Sequence, residues 1–354
     1  MLATVLALAL AVQERPKAEV VFVLDTTGSM GGLLEGAKKK IWSIANEILK
    51  GSPKPELRVG LVAYRDKGDA YVTQVTDLTS DLDKIYEVLL GFQAQGGGDG
   101  PENVRQGLHD ALTKISWTPG RKAFKTLFLV GDAPPHFDYT DVPALEELCL
   151  AAVKADISMN AIRCGADPET GRVWQDVASR GEGTFASIDQ GGGVVAVATP
   201  YDREIGELSD KLGRTVLAVG GERARRELER KEAVAAEAPA PAKADRAAAK
   251  AAGGKLHEAD LIDVLKDGKA LEEVKDEDLP AELRGKTLEQ RKAVVEEKSK
   301  ERAELQKKIA ELSKKREAHL AAELAKLGAK DGFDAVVKDA LRKQAAKKGI
   351  EFKD

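Results

Sequence analysis

Apolar, β-branched runs alternate with segments of helical periodicity along the first 220 positions of the chain. Six such runs predict strands, at 19–25, 57–64, 71–76, 125–131, 157–163 and 183–188. Five segments have the spacing of amphipathic helices, at 32–49, 81–93, 102–116, 142–155 and 201–212. This alternation predicts an α/β fold, with a largely parallel sheet covered by helices on both faces.

The second and third predicted strands differ from the others because only the segment RDKGDA separates them. So short a connection joins antiparallel neighbours, whereas parallel strands need a longer crossover. The prediction is therefore a doubly wound, mostly parallel sheet with its third strand antiparallel at one edge. In such a sheet, ligands bind beyond the carboxyl ends of the strands, where the strand order reverses.

The character of the sequence changes near residue 220. All three tryptophans and all five tyrosines come earlier, while 47 of the 100 residues in 255–354 are charged. A helix and an Ala/Pro-rich linker are predicted over 221–254, and charged helices over 255–354. Arg302 and Arg316 interrupt the heptad pattern of the longest of these helices. The sequence leaves open a small helical bundle, self-association through these helices and a coiled coil.

The N-terminal residues 2–12 are almost wholly apolar and too few to span a bilayer as a helix. Small residues alternate with leucine in Ala7-Leu8-Ala9, as at a signal-peptide cleavage site. The segment 1–12 therefore resembles a signal peptide, although no basic residue precedes its apolar run. This predicts an exported protein, whether periplasmic, secreted or on the cell surface. A first strand is the alternative interpretation.

Charge and cysteine content narrow the class of protein. The net charge of −4, with lysines interleaved among glutamates, argues against a nucleic-acid partner. Two cysteines exclude a disulfide framework. Cys149 falls within a predicted helix and Cys164 at the end of a predicted strand. They should lie about 15 Å apart, beyond the ~7 Å between Cα atoms that a disulfide allows. Two free, mostly buried thiols are predicted.

Oxygen-bearing side chains follow the predicted strands at what should be one edge of the sheet. Asp25, Thr27 and Ser29 come at the end of the first strand. Asp132 follows the fourth strand, and Asp99 lies in the glycine-rich segment QGGGDGPENV. Mg²⁺, Mn²⁺ and Ca²⁺ all accept carboxylate and hydroxyl ligands. These five residues are therefore the predicted ligands of a divalent cation, most simply Mg²⁺.

The motif Asp25-x-Thr27-x-Ser29, at the end of a buried strand, resembles the first metal-binding loop of von Willebrand factor A domains. The strand order and Asp132 are similar to that family too. The combination LDTTGSM, GGGDGPE and GDAPPH resembles a subgroup found in many bacterial and extracellular proteins. The resemblance implies a Rossmann-like A domain over 18–220. It also implies a metal-ion-dependent adhesion site, at which a carboxylate of a partner protein completes the coordination.

The second loop departs from the family pattern. The resemblance implies a threonine ligand near Gly100, which has no side chain, and the sequence leaves open whether Asp99 or a water molecule replaces it. Glu102 is more typical of a first-turn residue that compensates the dipole of a helix starting at Pro101. For the first loop, capping of the following helix is the alternative interpretation.

The resulting prediction is a non-enzymatic, metal-ion-dependent binding or adhesion module. Its partner would be a protein that offers an acidic residue to the cation, and no nucleic acid or stable membrane span is expected. Two alternatives stay open. The chain could be the metal-bearing subunit of a hydrolytic or other enzyme assembly, or a scaffold in which the cation only stabilises the fold.

Overall fold

The computed structural model describes residues 15–98, 100–193, 197–253, 256–257, 259–327 and 332–352. The segment 1–12, predicted to resemble a signal peptide, lies outside these described residues. None of the described helices combines the length and the apolar character that a membrane crossing requires.

A six-stranded sheet forms the centre of the molecule. Its strands are β1 (Lys17–Asp25), β2 (Glu56–Tyr64), β3 (Thr73–Thr79), β4 (Ala123–Gly131), β5 (Ser158–Cys164) and β6 (Glu182–Ile188). The strand order is β3-β2-β1-β4-β5-β6, and only the β2–β3 pair is antiparallel. This confirms the predicted sheet and its antiparallel edge strand. The order reverses between β1 and β4, which lie side by side at the centre.

Eleven α-helices occur in the described part of the chain. They are α1 (Gly31–Leu49), α2 (Leu82–Gly91), α3 (Val104–Thr113), α4 (Leu145–Lys154), α5 (Pro168–Arg180), α6 (Asp202–Gly213), α7 (Gly221–Ala236), α8 (Ala240–Gly253), α9 (Leu261–Lys266), α10 (Leu288–Leu327) and α11 (Phe333–Ala346). Helix α5 is absent from the elements predicted above, although its start is signalled in the sequence. The Asp167 side chain accepts from the Thr170 N–H, and Pro168 occupies the first turn.

Each face of the sheet carries its own apolar cluster. Side chains of α1, α2, α8 and α11 pack with one cluster, and those of α3, α4 and α5 pack with the other. Because β1 is covered on both faces, all its residues from Ala18 to Asp25 are buried. Within the described residues Cys149 and Cys164 are free and buried, as predicted.

The helix predicted within 221–254 is present as α7, whereas the Ala/Pro-rich linker predicted after it is wrong. The residues after α7 form α8, which buries alanines at 242, 244, 247 and 249. Arg246 of α8 is also buried and forms a bidentate ion pair with Asp83 of α2. Its Nε lies 2.7 Å from Asp83 Oδ1, and its Nη2 lies 2.8 Å from Asp83 Oδ2. The small alanine side chains allow close helix packing, so a core contact forms without a large apolar residue.

The C-terminal helices pack against the rest of the molecule rather than standing apart from it. Arg302 and Arg316, which interrupt the heptad pattern of α10, are both buried, and each forms an ion pair with an aspartate. Arg302 pairs with Asp260 at 2.6 Å, and Arg316 pairs with Asp202 at 2.6 Å. The last helix, α11, reaches the central sheet, where the ring of Phe333 lies 6.1 Å from that of Phe22.

Candidate metal centre

Three segments of the chain meet at the edge where β1 and β4 end. β1 supplies Asp25, the residue after β4 is Asp132, and the segment between α2 and α3 supplies Glu102. This is the edge at which the strand order reverses, the position where α/β sheets bind ligands. Gly131 allows the close approach, because a Cβ there would overlap the Tyr64 hydroxyl and touch Asp25.

The first predicted loop is organised around Asp25, which is fully buried. Its Oδ1 accepts hydrogen bonds from the Thr27 backbone N at 2.8 Å and from Thr27 Oγ1 at 2.6 Å. Its Oδ2 is buried without a hydrogen-bond partner among the described residues. The side chain of Thr27 forms no helix-capping bond to the turn that follows, and α1 has no capping side chain either. The geometry therefore favours the ligand interpretation of this loop over the capping alternative.

Asp132 faces the first loop from the end of β4. Its Oδ2 accepts a hydrogen bond from the Gln190 side-chain amide, and its backbone carbonyl accepts one from Thr170 Oγ1 at 3.2 Å. Asp132 Oδ1 is buried and has no partner within the described segments. Asp25 and Asp132 thus each present one uncompensated carboxylate oxygen in the same region.

The predicted position of Glu102, in the first turn of a helix starting at Pro101, is wrong. α3 begins at Val104, and its N-cap is Asn103, which accepts from the Gln106 N–H. Glu102 therefore precedes the helix and does not lie in its first turn. Hydrogen bonds with Pro134 and His136 hold its backbone beside the loop that follows Asp132. Its side chain is only 4% exposed, and Oε2 has no partner in the described structure.

Burial and mutual repulsion make both internal carboxyl groups weak acids. Burial raises the pKa of Asp25 to about 7, and the negative charge of Asp132 adds to this effect. Burial raises the pKa of Glu102 to about 9, with further increases from the charges of Asp25, Asp66 and Asp69. The positive charge of Arg65 lowers the pKa of Asp25 but does not offset the effect of burial.

An open cleft of about 590 Å³ lies over these groups. Thr27, Ser29, Glu102 and Asp132 line it, together with the backbone of several glycines. The rim adds two further acidic residues, Asp167 and Glu169, and no basic residue lines the described cleft. Thus Asp25 lies buried beneath the cleft, and the side chains of the other four residues border it directly.

The described residues contain no group of three or more His, Cys, Asp and Glu side chains arranged to hold a metal ion. A cation here would therefore need the hydroxyl groups of Thr27 and Ser29 and water, in addition to carboxylates. Asp99, the fifth predicted ligand, lies outside the described residues. Gly100 borders the cleft, and a Cβ there would meet no atom within 4 Å, so this position is open.

Comparison with known proteins finds a similarity to one family in the first part of the chain. A model described as von Willebrand factor A domain matches residues 19–162. The von Willebrand factor A domain-containing protein 7 of Rattus norvegicus is 37% identical over 120 residues, which cover 34% of this chain and 12% of that protein. Its Homo sapiens counterpart is 36% identical over 120 residues, with the same coverage. The chain therefore spans only a small part of these relatives.

Solved structures are also similar, at low identity. The SpRpn10 VWA domain gives a TM-score of 0.38 at 18% identity, covering 49% of this chain and 89% of that one. Proximal thread matrix protein 1 from the mussel byssus, with a zinc-occupied MIDAS motif, gives 0.39 at 17% identity, covering 49% and 42%.

Proposed function

We propose that the von Willebrand factor A domain formed by residues 19–162 is a metal-ion-dependent protein-binding module without enzymatic activity of its own. Asp25, Thr27, Ser29 and Asp132 would hold a divalent cation, Mg²⁺ or Mn²⁺. Glu102 takes the place that the resemblance gives to a second-loop threonine, and Asp99 assists. The bound cation would supply an electrophile with an open coordination position for a carboxylate of the partner protein.

The observation that carries this proposal is the set of uncompensated carboxylate oxygens. Asp25 Oδ2, Glu102 Oε2 and Asp132 Oδ1 are buried and lack hydrogen-bond partners among the described residues. Leaving a buried polar group unpaired costs roughly 1–3 kcal/mol, and more if it is charged. A hard cation held by Asp25 and Asp132 with the hydroxyl groups of Thr27 and Ser29 and water would compensate this buried negative charge. The raised pKa values of Asp25 and Glu102 support the same conclusion, because nearby positive charge would restore their ionised forms.

Calorimetric titration of the full chain with Mn²⁺ tests the site. Asp25→Asn keeps the shape of the side chain and the oxygen that accepts from Thr27, but removes the negative charge. We expect one saturable site in the wild type and an affinity at least about tenfold lower in the variant. Asp141→Asn is the matched control, because Asp141 is exposed and pairs with Lys67 at 2.7 Å. Equal affinities of wild type and Asp25→Asn would refute the proposed ligand set.

Acetate then tests whether the loaded cation accepts a partner carboxylate. Mn²⁺ with an open position binds water and enhances the relaxation of water protons. Acetate should displace that water and reduce the enhancement, whereas acetamide should not. If acetate has no effect on the loaded protein, the cation has a structural role only.

We extend the proposal to export of the chain. The apolar segment 2–12 supports it, and sequencing of the N-terminus of the mature protein checks it. An N-terminus that retains this segment would contradict export by signal-peptide cleavage.

A further inference from the structure

A second cavity, of about 270 Å³, lies where α1, α2 and α8 meet. Glu56 and Leu57, at the start of β2, border it. The proposed cation site lies where β1 ends, and β1 runs parallel to β2. The cavity is therefore at the opposite edge of the sheet, and the described residues that line it do not line the cation cleft.

The inner wall of this cavity is buried and largely apolar. Trp42 of α1 is 1% exposed, and the side chains of Leu57, Ala249 and Leu256 are also buried. The Trp42 ring is held in place by Tyr86 of α2, with 4.0 Å between the ring centroids. A fixed aromatic ring among aliphatic side chains favours a flat, apolar ligand.

The charged side chains of the inner wall are already compensated within the protein. Lys250 Nζ lies 2.8 Å from Asp83 Oδ2, and Asp81 forms an ion pair with Lys231. His257 stays neutral, because burial and the positive charge of Lys231 lower its pKa. A charged ligand would therefore lose its hydration without gaining a free opposite charge in the inner part of the described wall, which is unfavourable.

The cavity has an opening and a size that suit a small molecule. Four of its lining residues are exposed and mark the opening to solvent, namely Arg15, Glu56, Ser80 and Asp267. An apolar cavity of about 150 Å³ is enough to hold benzene. A volume of about 270 Å³ therefore has room for one substituted aromatic ring, and is too small for a folded partner.

We propose that this cavity binds a small, uncharged aromatic molecule, which lies against Trp42. The inference is independent of the proposed cation site. Because α8 supplies one wall and α1 and β2 supply others, a ligand in the cavity contacts elements from both the first and the C-terminal part of the chain. Binding should therefore stabilise the packing of α8 on the rest of the protein.

A pair of compounds of nearly equal size and shape tests the ligand class. We use 4-nitroacetophenone, which is uncharged, and 4-nitrobenzoate, which is an anion at neutral pH. Calorimetry on the full chain with a chelator present should show one saturable site for 4-nitroacetophenone. The affinity for 4-nitrobenzoate should be at least about tenfold lower, because its carboxylate finds no free cation in the inner wall. Saturating 4-nitroacetophenone should also raise the Tm.

A substitution that fills the cavity tests the place of binding. A leucine side chain in Ala249→Leu would occupy part of the space, so the affinity for 4-nitroacetophenone should fall at least about tenfold. Ala248→Leu is the matched control, because Ala248 lies on the same helix but is not among the described residues that line the cavity. The control should bind 4-nitroacetophenone as the wild type does.

Tryptophan fluorescence gives a second test of the place, which does not depend on the folding of Ala249→Leu. Nitroaromatic compounds quench tryptophan on contact, and Trp42 is the tryptophan in the described wall of the cavity. Saturating 4-nitroacetophenone should quench the wild type. Trp42→Phe keeps an aromatic ring at this position, and most of the quenching should disappear in it.

The outcomes decide the proposal without involving the cation site, since a chelator is present throughout. Saturable binding that weakens in Ala249→Leu, or quenching that disappears in Trp42→Phe, supports it. Absence of saturable binding to the wild type overturns it. So do equal affinities for the two compounds, which would show that the cavity does not select against charge. Undiminished quenching in Trp42→Phe would show that the ligand lies elsewhere, and overturns it too.

Discussion

At the scale of single residues, Glu102 shows how position relative to a helix decides the role of a carboxylate. Asn103 caps α3, so Glu102 is excluded from the first turn and its side chain lies buried near Asp25 and Thr27. Gly97, at a φ of 76°, permits this, because a Cβ there would lie 2.8 Å from Glu102 Oε1. A glutamate in the first helical turn would instead be solvated and weakly perturbed.

The pKa of Glu102 makes a prediction for stability against pH. In the cation-free protein this pKa is raised to about 9 from 4.5, so the folded state binds a proton that the unfolded state releases between these values. Stability must therefore fall as pH rises through this range. The Glu102→Gln variant keeps the shape of the side chain but has no carboxyl group to titrate. With a chelator present, its Tm should decrease less than that of the wild type from about pH 5 to pH 9.

Thermal unfolding at a series of pH values checks this prediction. Glu169→Gln is the control, because Glu169 is exposed at the rim of the same cleft and should leave the pH dependence unchanged. Parallel curves for the wild type and Glu102→Gln would show that Glu102 is ionised in the folded protein.

At the scale of elements, the sequence predicts a strand correctly where its buried positions carry large or β-branched apolar residues. β1, β2 and β4 are runs of large or β-branched apolar residues, so their pattern is unambiguous. The same strands deliver Asp25 and Asp132 to one edge, which is why these two could be found without a structure. Glu102 could not, because its role depends on the residue at which α3 begins, and boundaries are the least certain part of such a prediction.

Helix α8 could not be predicted from the sequence, because its buried positions do not carry large apolar residues. Its buried side chains are alanines, which are equally common in solvated helices and linkers, and two prolines occur near its start. A charged contact distant in sequence, between Arg246 and Asp83, is one of the interactions that fix α8. Lys250 and Glu232 complete this ion-pair cluster, at 2.8 Å from Asp83 and 2.7 Å from Arg246 respectively.

Arg246→Ala should destabilise the protein by about 3–5 kcal/mol, because it leaves Asp83 buried with an incomplete set of partners. Denaturant unfolding measures this change. Arg226→Ala is the control, since Arg226 pairs with Glu222 one turn away on an exposed face and such pairs contribute about 0–1 kcal/mol. A loss in Arg246→Ala no larger than that in Arg226→Ala would mean that this ion pair contributes little to holding α8.

At the scale of the whole molecule, the chain completes its central core with its last helix. α11 lies more than 300 residues after β1 in sequence, yet Phe333, Val337 and Leu341 are buried in the cluster that contains Phe22. A polar network also sets its position on the sheet. Gln344 Nε2 donates to Asn160 Oδ1 of β5 at 2.6 Å, and Gln344 Oε1 accepts from Thr126 of β4 at 2.8 Å. Composition alone could not predict this, because charged residues dominate the surrounding C-terminal sequence.

Removing Phe333 tests whether the C-terminal region is part of the folding unit. Phe333→Ala should lower the free energy of unfolding by about 3–5 kcal/mol, through lost burial and the cavity left beside Phe22. The change should appear in one cooperative transition, since α11 shares its core with the sheet. Lys343→Ala is the control, because Lys343 is exposed and, within the described residues, pairs with Asp339 on the same helix at 2.6 Å. If Phe333→Ala unfolds like the control, or if α11 melts separately before the sheet, the sheet and its other helices fold without α11.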